Sequence, residues 1–330
     1  MTVLTRRAAL AGAAAVAAVP LAGTGPSRAA APQIGKQAPS YYRYKVGSQE
    51  VTVVADGVTV TPRPDNYVAN ASKEAVSAEF AANYMAPDKA THSYAPIVVN
   101  TGSKLVVIDT GLGPGVFAQS KGAAGQFHTN LAAAGIDRNA VDTVIISHFH
   151  GDHINGLLTA DNKPAFPNAE LMVPAVEWTF WMDEGQMSKA AGTPLEGNFK
   201  NTRRVFGPFG SKVTQYEAGK ELVPGITSLG SPGHTPGHSS FILASGNSRV
   251  LVQVDITAGA AFLFVRHPDW QLLFDMDKPL AVQTRRKLYD MAIAEKMPVQ
   301  AFHASFPGLV HVEKAGDGYR WVPALWQTSI

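Results

Sequence analysis

A short histidine-rich motif constrains this chain more than any other feature of its 330 residues. The motif, His-Phe-His-Gly-Asp-His at residues 148–153, directly follows an apolar run over residues 141–147 that predicts a buried strand. Side chains two residues apart at the end of a strand point in the same direction, so His148 and His150 can bind one metal ion. The turn that follows points Asp152 and His153, the last two ligand candidates of the motif, in another direction, towards a second ion. Imidazole nitrogen and carboxylate oxygen are ligands that zinc and similar divalent metals accept.

Three downstream residues extend this set of candidate ligands. His234 lies in a turn rich in glycine and proline, while Asp255 and His303 each follow an apolar, strand-like run. Sites in α/β proteins commonly lie at the carboxyl ends of strands, which is where all three residues are expected. Each one taken singly is equally explained as an ordinary histidine or a helix-capping acid. Together with the motif they predict a metal site.

Strand-like and helix-like segments alternate along both halves of the chain, which predicts a single α/β domain over residues 30–330. The predicted helices cover three segments, residues 72–85, 126–134 and 279–296. Residues 155–215 lack a clean periodicity and are rich in aromatic side chains. We therefore expect them to form loops and helices that lie over the functional site.

The first 29 residues have the pattern of an export signal. Arg6 and Arg7 precede an apolar run of small residues at 8–23, and Ser-Arg-Ala follows at 27–29. The paired arginines indicate the twin-arginine route, so the protein is expected in the periplasm or outside the cell. An alanine-rich N-terminal helix is the alternative. No other stretch approaches the length of about 18 apolar residues that a membrane span needs, so no membrane association is expected after processing.

Charge and cysteine content exclude several classes of protein. The net charge is +2, but the first 29 residues carry three arginines and no acid, so the remainder has a net charge of −1. A body that is nearly neutral has no basic surface for a phosphate backbone, which argues against a nucleic-acid partner. The chain has no cysteine, which excludes disulfides, thiolate metal sites and a cysteine nucleophile.

The order of these candidate ligands resembles the metallo-β-lactamase superfamily of binuclear hydrolases. Further matching stretches narrow the resemblance to the methyl parathion hydrolase-like group of that superfamily, and they lie at residues 41–44, 99–111, 147–153, 233–238, 302–308 and 318–323. The resemblance covers almost the whole chain after the signal. It implies an αββα sandwich, in which two mixed β-sheets are flanked by helices.

The same resemblance implies a ligand set for two divalent ions, with zinc expected and manganese, cobalt or iron also suited to these ligands. The residues that match the ligands of the first ion are His148, His150 and His234. Those that match the ligands of the second ion are Asp152, His153 and His303, and Asp255 would bridge both ions. Asp152 and Asp255 are also the candidate catalytic residues, because Asp152 can orient the attacking hydroxide or accept its proton.

Some further positions have roles that the resemblance suggests less strongly. Phe117, Trp181 and Phe199 match an aromatic trio that receives the leaving group in the phosphotriesterase, although the residues alone favour core packing. Asp109 and His238 are expected to orient ligands, with the capping of a turn as the alternative for Asp109.

One position and two segments near the expected pocket mouth, residues 63–70 and 256–264, depart from the family pattern, and several histidines carry no pattern. The bridging aspartate of the family usually follows glycine, whereas Val254 precedes Asp255 here and crowds the backbone. Residues 285–287 are expected on a solvated helix face. The histidines without a partner pattern, expected at the surface or in packing, are His92, His128, His267 and His311.

These observations predict an exported binuclear hydrolase that attacks aryl phosphotriesters, lactones or aryl esters with a hydroxide shared by two metals. One alternative is a native lactonase or arylesterase whose activity towards phosphotriesters is incidental. Another, from a different class, is a non-catalytic metal-binding protein on the same fold. The partner is a small-molecule substrate, and the resemblance also implies a homodimer.

Overall fold

The computed structural model describes residues 35 and 37–330, and its compact unit spans Pro39–Ile330. The predicted export signal at residues 1–29 lies outside the described residues. Among the residues described, none forms a helix with the length and apolar character needed to cross a membrane.

The described chain contains strands and helices that alternate through most of its length. The strands are β1 (Tyr41–Val46), β2 (Gln49–Val54), β3 (Gly57–Pro62), β4 (Lys89–Tyr94), β5 (Ile97–Asn100), β6 (Leu105–Ile108), β7 (Thr143–Ile145), β8 (Glu170–Pro174), β9 (Val213–Tyr216), β10 (Glu221–Val223), β11 (Ile226–Gly230), β12 (Ser239–Ser245), β13 (Ser248–Val254), β14 (Val299–Ala301), β15 (Leu309–Ala315) and β16 (Gly318–Pro323). The α-helices are α1 (Lys73–Ala82), α2 (Gly113–Gln119), α3 (Phe127–Ala133), α4 (Gly151–Ile154), α5 (Ala175–Met182), α6 (Glu184–Ala190), α7 (Pro194–Phe206), α8 (Ala261–Arg266) and α9 (Lys278–Ala294).

The strands form two mixed sheets of seven strands each and a separate antiparallel ribbon of β3 and β4. The first sheet has the order β1-β2-β5-β6-β7-β8-β9, and its pairs are antiparallel as far as β6 and parallel from β6 to β9. The second sheet runs in sequence order from β10 to β16, and its β13–β14 pair is parallel while the other pairs are antiparallel. Each half of the chain therefore contributes one sheet.

Side chains of the first sheet alternate between two hydrophobic layers, as expected of strands that are buried on both faces. Val98, Val107 and Val144 point to one face and pack with the helices α3, α5 and α7. Val106 and Ile145, each one residue away along its strand, point to the opposite face and pack against the second sheet. The two sheets therefore enclose a shared core.

Helix α9 covers the outer face of the second sheet. Its residues Leu288 and Tyr289 are buried against Leu251 of β13 and Val299 of β14. The order of layers is thus helix, sheet, sheet, helix, which confirms the predicted αββα sandwich with two mixed sheets.

The predicted helices are found within a few residues of their expected bounds. Helix α1 begins after Ser72, whose hydroxyl accepts a hydrogen bond from Ala75 N at 3.1 Å. Residues 155–215 include three helices that lie on the first sheet, as expected, but they also include β8 and β9. The sequence did not predict these two strands, because each has at most five residues and β9 is partly exposed.

The topology brings the ends of three strands to one place. The histidine-rich motif begins three residues after β7 in the first sheet, Asp255 directly follows β13, and His303 follows β14 by two residues. Since β13 and β14 are parallel neighbours, their carboxyl ends lie side by side. This edge of the sandwich is where the predicted ligands meet.

Candidate metal centre

Three histidines converge on one point. His148 Nε2 lies 3.2 Å from His150 Nδ1, and His150 Nδ1 lies 2.9 Å from His234 Nε2. One nitrogen from each ring falls within 4.8 Å of the other two, in a group that could hold a metal ion. At most one of these three nitrogens can donate a hydrogen bond to another. The remaining lone pairs point to a common position that a cation can occupy.

A second group lies beside the first and contains two carboxylates. It consists of Asp152, His153, Asp255 and His303, whose ligand atoms also fall within 4.8 Å of one another. Asp152 Oδ2 lies 3.5 Å from the Nε2 atoms of both His153 and His303. This group has the nitrogen and oxygen donors that a divalent first-row metal accepts.

Asp255 lies between the two groups. Its Oδ2 atom is 3.3 Å from His234 Nε2 in the first group and 3.2 Å from His303 Nε2 in the second. Its Oδ1 atom is 3.4 Å from His153 Nε2. One carboxylate therefore reaches both groups of histidines, which is the geometry of a bridging ligand.

Two buried atoms of the second group support the fit of a metal ion. His153 Nε2 and Asp255 Oδ1 are both buried and have no hydrogen-bond partner. An unpaired buried nitrogen and an unpaired buried carboxylate oxygen are costly unless another group satisfies them. Because the two atoms face each other in a set of nitrogen and oxygen donors, a metal ion fits the residues present.

Local backbone geometry explains how the motif serves two groups. His150 ends the extended segment after β7 and is the N-cap of α4, with φ −70° and ψ 153°. Asp152 and His153 lie in the first turn of that helix and point in a different direction from His148. The change from extended to helical backbone at Gly151 divides the motif between the two groups.

Val254 adopts an unusual conformation next to Asp255. Its φ is +51°, in the left-handed region that β-branched residues rarely occupy, and its side chain is buried in the core between the sheets. The crowding predicted from the absence of glycine is therefore present as backbone strain. The strand register also shifts between Val252 and Val254, immediately before the shared carboxylate.

Asp109 fixes the orientation of His153. Its Oδ2 accepts a hydrogen bond from His153 Nδ1 at 2.8 Å, and its two oxygens also accept bonds from the backbone N and the hydroxyl of Ser147. Because Nδ1 carries the hydrogen, Nε2 of His153 presents its lone pair to the candidate metal position. Ser147 Oγ in turn lies 3.0 Å from Nδ1 of His148.

His238 orients the backbone of the bridging residue. Its Nε2 accepts a hydrogen bond from Asp255 N at 3.0 Å, and its Nδ1 lies 3.0 Å from the carbonyl oxygen of Ser231. Burial, followed by the neighbouring His234, lowers the pKa of His238 to about 3, so the ring is neutral with its hydrogen on Nδ1. His238 therefore contacts the centre through the backbone.

A buried pair, Asp275 and Arg285, was not predicted from the sequence. Asp275 Oδ1 accepts a hydrogen bond from His234 Nδ1 at 2.8 Å, and its Oδ2 lies 3.4 Å from Nη2 of Arg285. The expectation that residues 285–287 form a solvated helix face is wrong for Arg285, which is 1% exposed. Its guanidinium also donates to the carbonyl oxygens of Ile256, Pro268 and Trp270, so α9 holds it against the loops beside the centre.

The two groups differ in their electrostatics. Burial lowers the pKa of His148, and burial followed by the adjacent His234 lowers that of His150 to about 3, so both rings are neutral. Burial also opposes the charge on His153, but the carboxylates of Asp255, Asp152 and Asp109 raise its pKa well above the usual range. The carboxylates of Asp152 and Asp255 thus favour a positive charge at this position, and a bound metal ion would take the place of the proton on His153 Nε2.

Phe117, Trp181 and Phe199 are not among the residues that line the cavity beside the centre, and their role in receiving a leaving group stays a prediction. Trp181 and Phe199 have 0% exposure and pack at 4.8 Å between ring centroids in the core, and Phe117 lies on α2 with 37% exposure. Trp181 Nε1 donates to the buried carboxylate of Glu177 at 2.7 Å. Glu177 in turn accepts from Phe149 N and Gly237 N, which joins the motif to the turn that carries His234.

A cavity of about 750 Å³ opens over the two groups of ligands. His150, Asp152 and His303 lie in its wall, and residues 193–195 and Asn198 from the region predicted to cover the site form another part. The apolar part of the lining consists of Leu112, Pro194, Leu195, Ala258, Leu273, Phe274 and Met276. The space is large enough for a small organic substrate.

Comparison with known families identifies the class of protein. The Metallo-beta-lactamase superfamily matches residues 93–284, which is more than half of the chain. The chain therefore belongs to the metallo-β-lactamase superfamily, as its motifs predicted. The narrower resemblance to the methyl parathion hydrolase-like group stays a prediction.

Similar individual proteins include lactonases. An N-acyl homoserine lactonase of Bacillus cereus is 25% identical over 207 residues, which cover 61% of this chain and 73% of that protein. The enzyme of the same name from Bacillus thuringiensis is 26% identical over 208 residues, with the same coverage of 61% and 73%.

Two solved structures resemble the fold along nearly their whole length. The dizinc quorum-quenching lactonase AidC, in complex with its product N-hexanoyl-L-homoserine, has a TM-score of 0.79 and 25% identity and covers 87% of this chain and 98% of its own. The hydrolase AbOPH of the β-lactamase superfamily has a TM-score of 0.77 and 27% identity, covering 88% and 100%.

Proposed function

We propose that this chain is a binuclear metal-dependent hydrolase whose main substrates are lactones. The single observation that carries the proposal is the position of Asp255, whose carboxylate reaches the three-histidine group and the mixed group together. The similarity to N-acyl homoserine lactonases supports a lactone as the substrate class. A cavity with apolar walls beside this carboxylate supports an organic ester.

The two candidate groups would each hold one ion. His148, His150 and His234 would hold the first, while Asp152, His153 and His303 would hold the second, with Asp255 shared between them. Zinc suits the predominance of imidazole, and one similar structure is described as a dizinc enzyme. When bound, such ions would acidify a water molecule and polarise the carbonyl group of the ester.

Asp152 is placed to move a proton during the reaction. Its side chain is 22% exposed in the cavity wall, whereas Asp255, which also lines the cavity, is buried. Because its carboxylate faces both the ligand group and the cavity, it can take a proton from the attacking water and give it to the leaving alkoxide. The same residue would thus bind metal and transfer a proton as the ring opens.

The apolar wall would bind the part of the substrate that does not react. Leu112, Leu273 and Phe274 lie in the cavity lining and offer surface for an aliphatic or aromatic substituent. Removing such a substituent from water stabilises the complex by about 25 cal/mol per Å² of apolar surface buried. These residues therefore favour a neutral, partly apolar ester.

A phosphotriester or an aryl ester is the second candidate substrate. The specific observation that favours it is the lining of the cavity, which in the described part of the chain includes no arginine and whose lysine, Lys278, donates to the carbonyl oxygen of Asp275. A neutral triester does not need the bidentate cationic contact that a charged phosphate favours. The same metal centre would serve either substrate.

The test compares substrates on one preparation of the full chain loaded with zinc. The bound metal is counted by elemental analysis, and kcat/KM is measured for an N-acyl homoserine lactone, an aromatic lactone and an aryl dimethyl phosphotriester. We expect two zinc ions per chain and the highest kcat/KM for a lactone. A large preference for the triester would reject a lactone as the main substrate, and turnover of none with two ions bound would favour a non-catalytic metal-binding protein.

The variant Asp255→Ala tests the bridging assignment directly. Loss of the shared carboxylate is expected to lower the metal content below two ions per chain and to reduce kcat by more than about 100-fold, because second-metal binding and water activation both depend on it. Asp290→Ala is the matched control, since Asp290 is exposed and pairs with Lys314 at the surface. An active Asp255→Ala enzyme with two metals would contradict the assignment.

Export by the twin-arginine route and assembly into a homodimer are also part of the proposal. Residues 1–29 support the first through their arginine pair and apolar run. Replacing both Arg6 and Arg7 by lysine should retain the protein in the cytoplasm in its uncleaved form, which fractionation and intact mass would show. Light scattering of the purified protein measures its oligomeric state, and a monomeric mass would reject the dimer.

A further inference from the structure

Strand β4 runs along the cavity beside the metal centre. His92 and Tyr94 lie on the same side of the strand, and both line the cavity. Ser93, between them, faces the other way, and its carbonyl oxygen lies 2.8 Å from Nδ1 of the ligand candidate His303. The side chain of His92 is therefore close to the centre without belonging to either group of candidate ligands.

The hydroxyl of Tyr67 determines which nitrogen of His92 carries a hydrogen. Tyr67 is fully buried, and its oxygen accepts a hydrogen bond from Ala260 N at 2.8 Å and lies 3.3 Å from His92 Nε2. If the hydroxyl donates to Nε2, every buried polar group in this contact has a partner. The opposite tautomer would leave the buried hydroxyl hydrogen without an acceptor, which is costly. The hydrogen of a neutral His92 therefore lies on Nδ1.

Gly259, in the neighbouring loop, leaves room for the contact between Tyr67 and His92. A Cβ atom added to Gly259 would lie 2.4 Å from the hydroxyl oxygen of Tyr67, and Gly259 has a φ of +64° that favours glycine. Burial, followed by the neighbouring His303, also lowers the pKa of His92 to about 4, so the ring is neutral at pH 7. Phe274 packs at 6.4 Å between ring centroids, nearly perpendicular to the imidazole.

The Nδ1–H group of His92 is available to a ligand, whereas the hydroxyl of Tyr94, two residues along the strand, is not. The hydroxyl of Tyr94 is engaged by Thr59 Oγ1 at 2.6 Å. In the described part of the chain, the hydrogen bond of the His92 side chain is the one that its Nε2 accepts from the hydroxyl of Tyr67. Nδ1 is thus an oriented donor in the cavity wall that the proposed hydrolysis does not use.

We propose that His92 is a specificity-determining residue whose Nδ1–H donates a hydrogen bond to a carbonyl oxygen of the substrate outside the ester that is cleaved. This inference rests on the proposed function. The reacting carbonyl is directed to the two groups of metal ligands, and His92 lies in the wall next to them. A substrate that carries an amide carbonyl near its ester, such as an acylamino lactone, satisfies this donor, and a plain alkyl lactone does not.

The test uses two lactones of the same ring size and chain length, one with a side-chain amide and one with an alkyl chain in its place. The variant His92→Phe should lower kcat/KM for the amide lactone about tenfold, mainly through KM, and change that for the alkyl lactone less than about twofold. His92→Asn should restore part of the loss, because its amide nitrogen occupies nearly the position of Nδ1. The zinc content should be unchanged in both variants.

A second arm tests the role of Tyr67. Tyr67→Phe removes the hydroxyl that fixes the tautomer and leaves the cavity wall in place, so we expect a smaller loss of about two- to threefold for the amide lactone. Nitrogen-15 NMR of histidine-labelled zinc protein should show His92 protonated on Nδ1 in the wild type. Protonation on Nε2 would overturn the proposal.

Equal losses of kcat/KM for the two lactones in His92→Phe, or no loss for either, would also overturn the proposed role of His92. If the wild-type chain hydrolyses neither lactone, the proposed function fails. The hydrogen bond proposed for His92 is then tested separately, by the binding of an amide that cannot be hydrolysed as an ester. The probe is then N-hexanoylglycinamide, which has amide carbonyls and no ester, measured by calorimetry. Binding that is about tenfold weaker in His92→Phe supports the donor role. Equal affinities, or no binding to the wild type, overturn it.

Discussion

The carboxylate of Asp275 accepts a hydrogen bond from Nδ1 of His234 at 2.8 Å, and this contact decides which ring nitrogen faces the metal centre. Because Nδ1 carries the hydrogen, Nε2 presents its lone pair towards His150 and Asp255. The remaining oxygen of Asp275 faces the guanidinium of Arg285. The orientation of a candidate ligand in one loop thus depends on a helix residue that is distant in the sequence.

Replacing Asp275 by asparagine should weaken metal binding. The neutral amide is a poorer acceptor for His234 and leaves the buried charge of Arg285 uncompensated, and loss of such a contact lowers metal affinity by about 10- to 100-fold. Competition with a chromogenic zinc chelator measures the change.

The matched control for Asp275 is Asp277→Asn. Asp277 caps α9 by accepting a hydrogen bond from Leu280 N at 3.0 Å, and asparagine is an equally good cap. It should bind zinc as the wild type does. Wild-type zinc affinity in Asp275→Asn would show that the contact has no part in metal binding.

Two adjacent arginines of α9 should differ sharply in their effect on stability. Arg285→Met leaves Oδ2 of Asp275 and three carbonyl oxygens without their donor, and breaking a buried ion pair costs about 3–5 kcal/mol. Arg286 pairs with Asp269 at the surface, where an ion pair contributes about 0–1 kcal/mol, so Arg286→Met should be nearly neutral. The free energy of unfolding in urea measures both, and equal effects would contradict this account.

The positions of the candidate ligands could be predicted because each depends on local sequence. The motif follows a buried apolar strand, and Asp255 and His303 follow two others, so the strands alone bring these residues to one edge of the sandwich. The αββα architecture was likewise predicted from the family motifs. Local sequence is sufficient to predict the position of a ligand where one short segment contains both the strand and the ligand that follows it.

The supporting contacts could not be predicted, because they join segments that are far apart. Asp275 lies 41 residues after His234 in a loop without a pattern, and Arg285 has the sequence context of an exposed helix residue. Only the packing of α9 against the second sheet buries Arg285. Trp181 and Phe199 show the same limit, since aromatic residues near a site are equally suited to a cavity wall and to the core.

The strained valine before the bridging residue gives a stability prediction with an internal control. Val254→Ala and Val252→Ala remove the same atoms from the core between the sheets, where both residues are buried. Val254 has a φ of +51°, and alanine adopts this conformation with less strain than a β-branched residue. Val254→Ala should therefore be less destabilising than Val252→Ala by about 1 kcal/mol. Urea unfolding of the metal-free proteins measures the difference, and a larger loss at residue 254 would count against the strain.

His128 should make stability depend on pH below neutrality. Its Nε2 lies 2.8 Å from the carbonyl oxygen of Gly156, and burial lowers its pKa from 6.5 to about 4. The unfolded chain therefore takes up a proton near pH 6.5 and the folded chain does so only near pH 4, so stability falls as the pH decreases through this window. The loss approaches about 1.4 kcal/mol for each unit of pKa difference, and it is absent above about pH 7.5.

The variant His128→Gln isolates this contribution. Glutamine retains a donor that can reach Gly156 O, but it does not titrate, so all other groups contribute equally to the two proteins. The difference in free energy of unfolding between wild type and variant should be constant from pH 7.5 to 8.5 and should shift steadily against the wild type from pH 6.5 to 4.5. Urea titrations at six pH values measure it. Parallel pH profiles for the two proteins would mean that the folded protein protonates His128 as readily as the unfolded chain does.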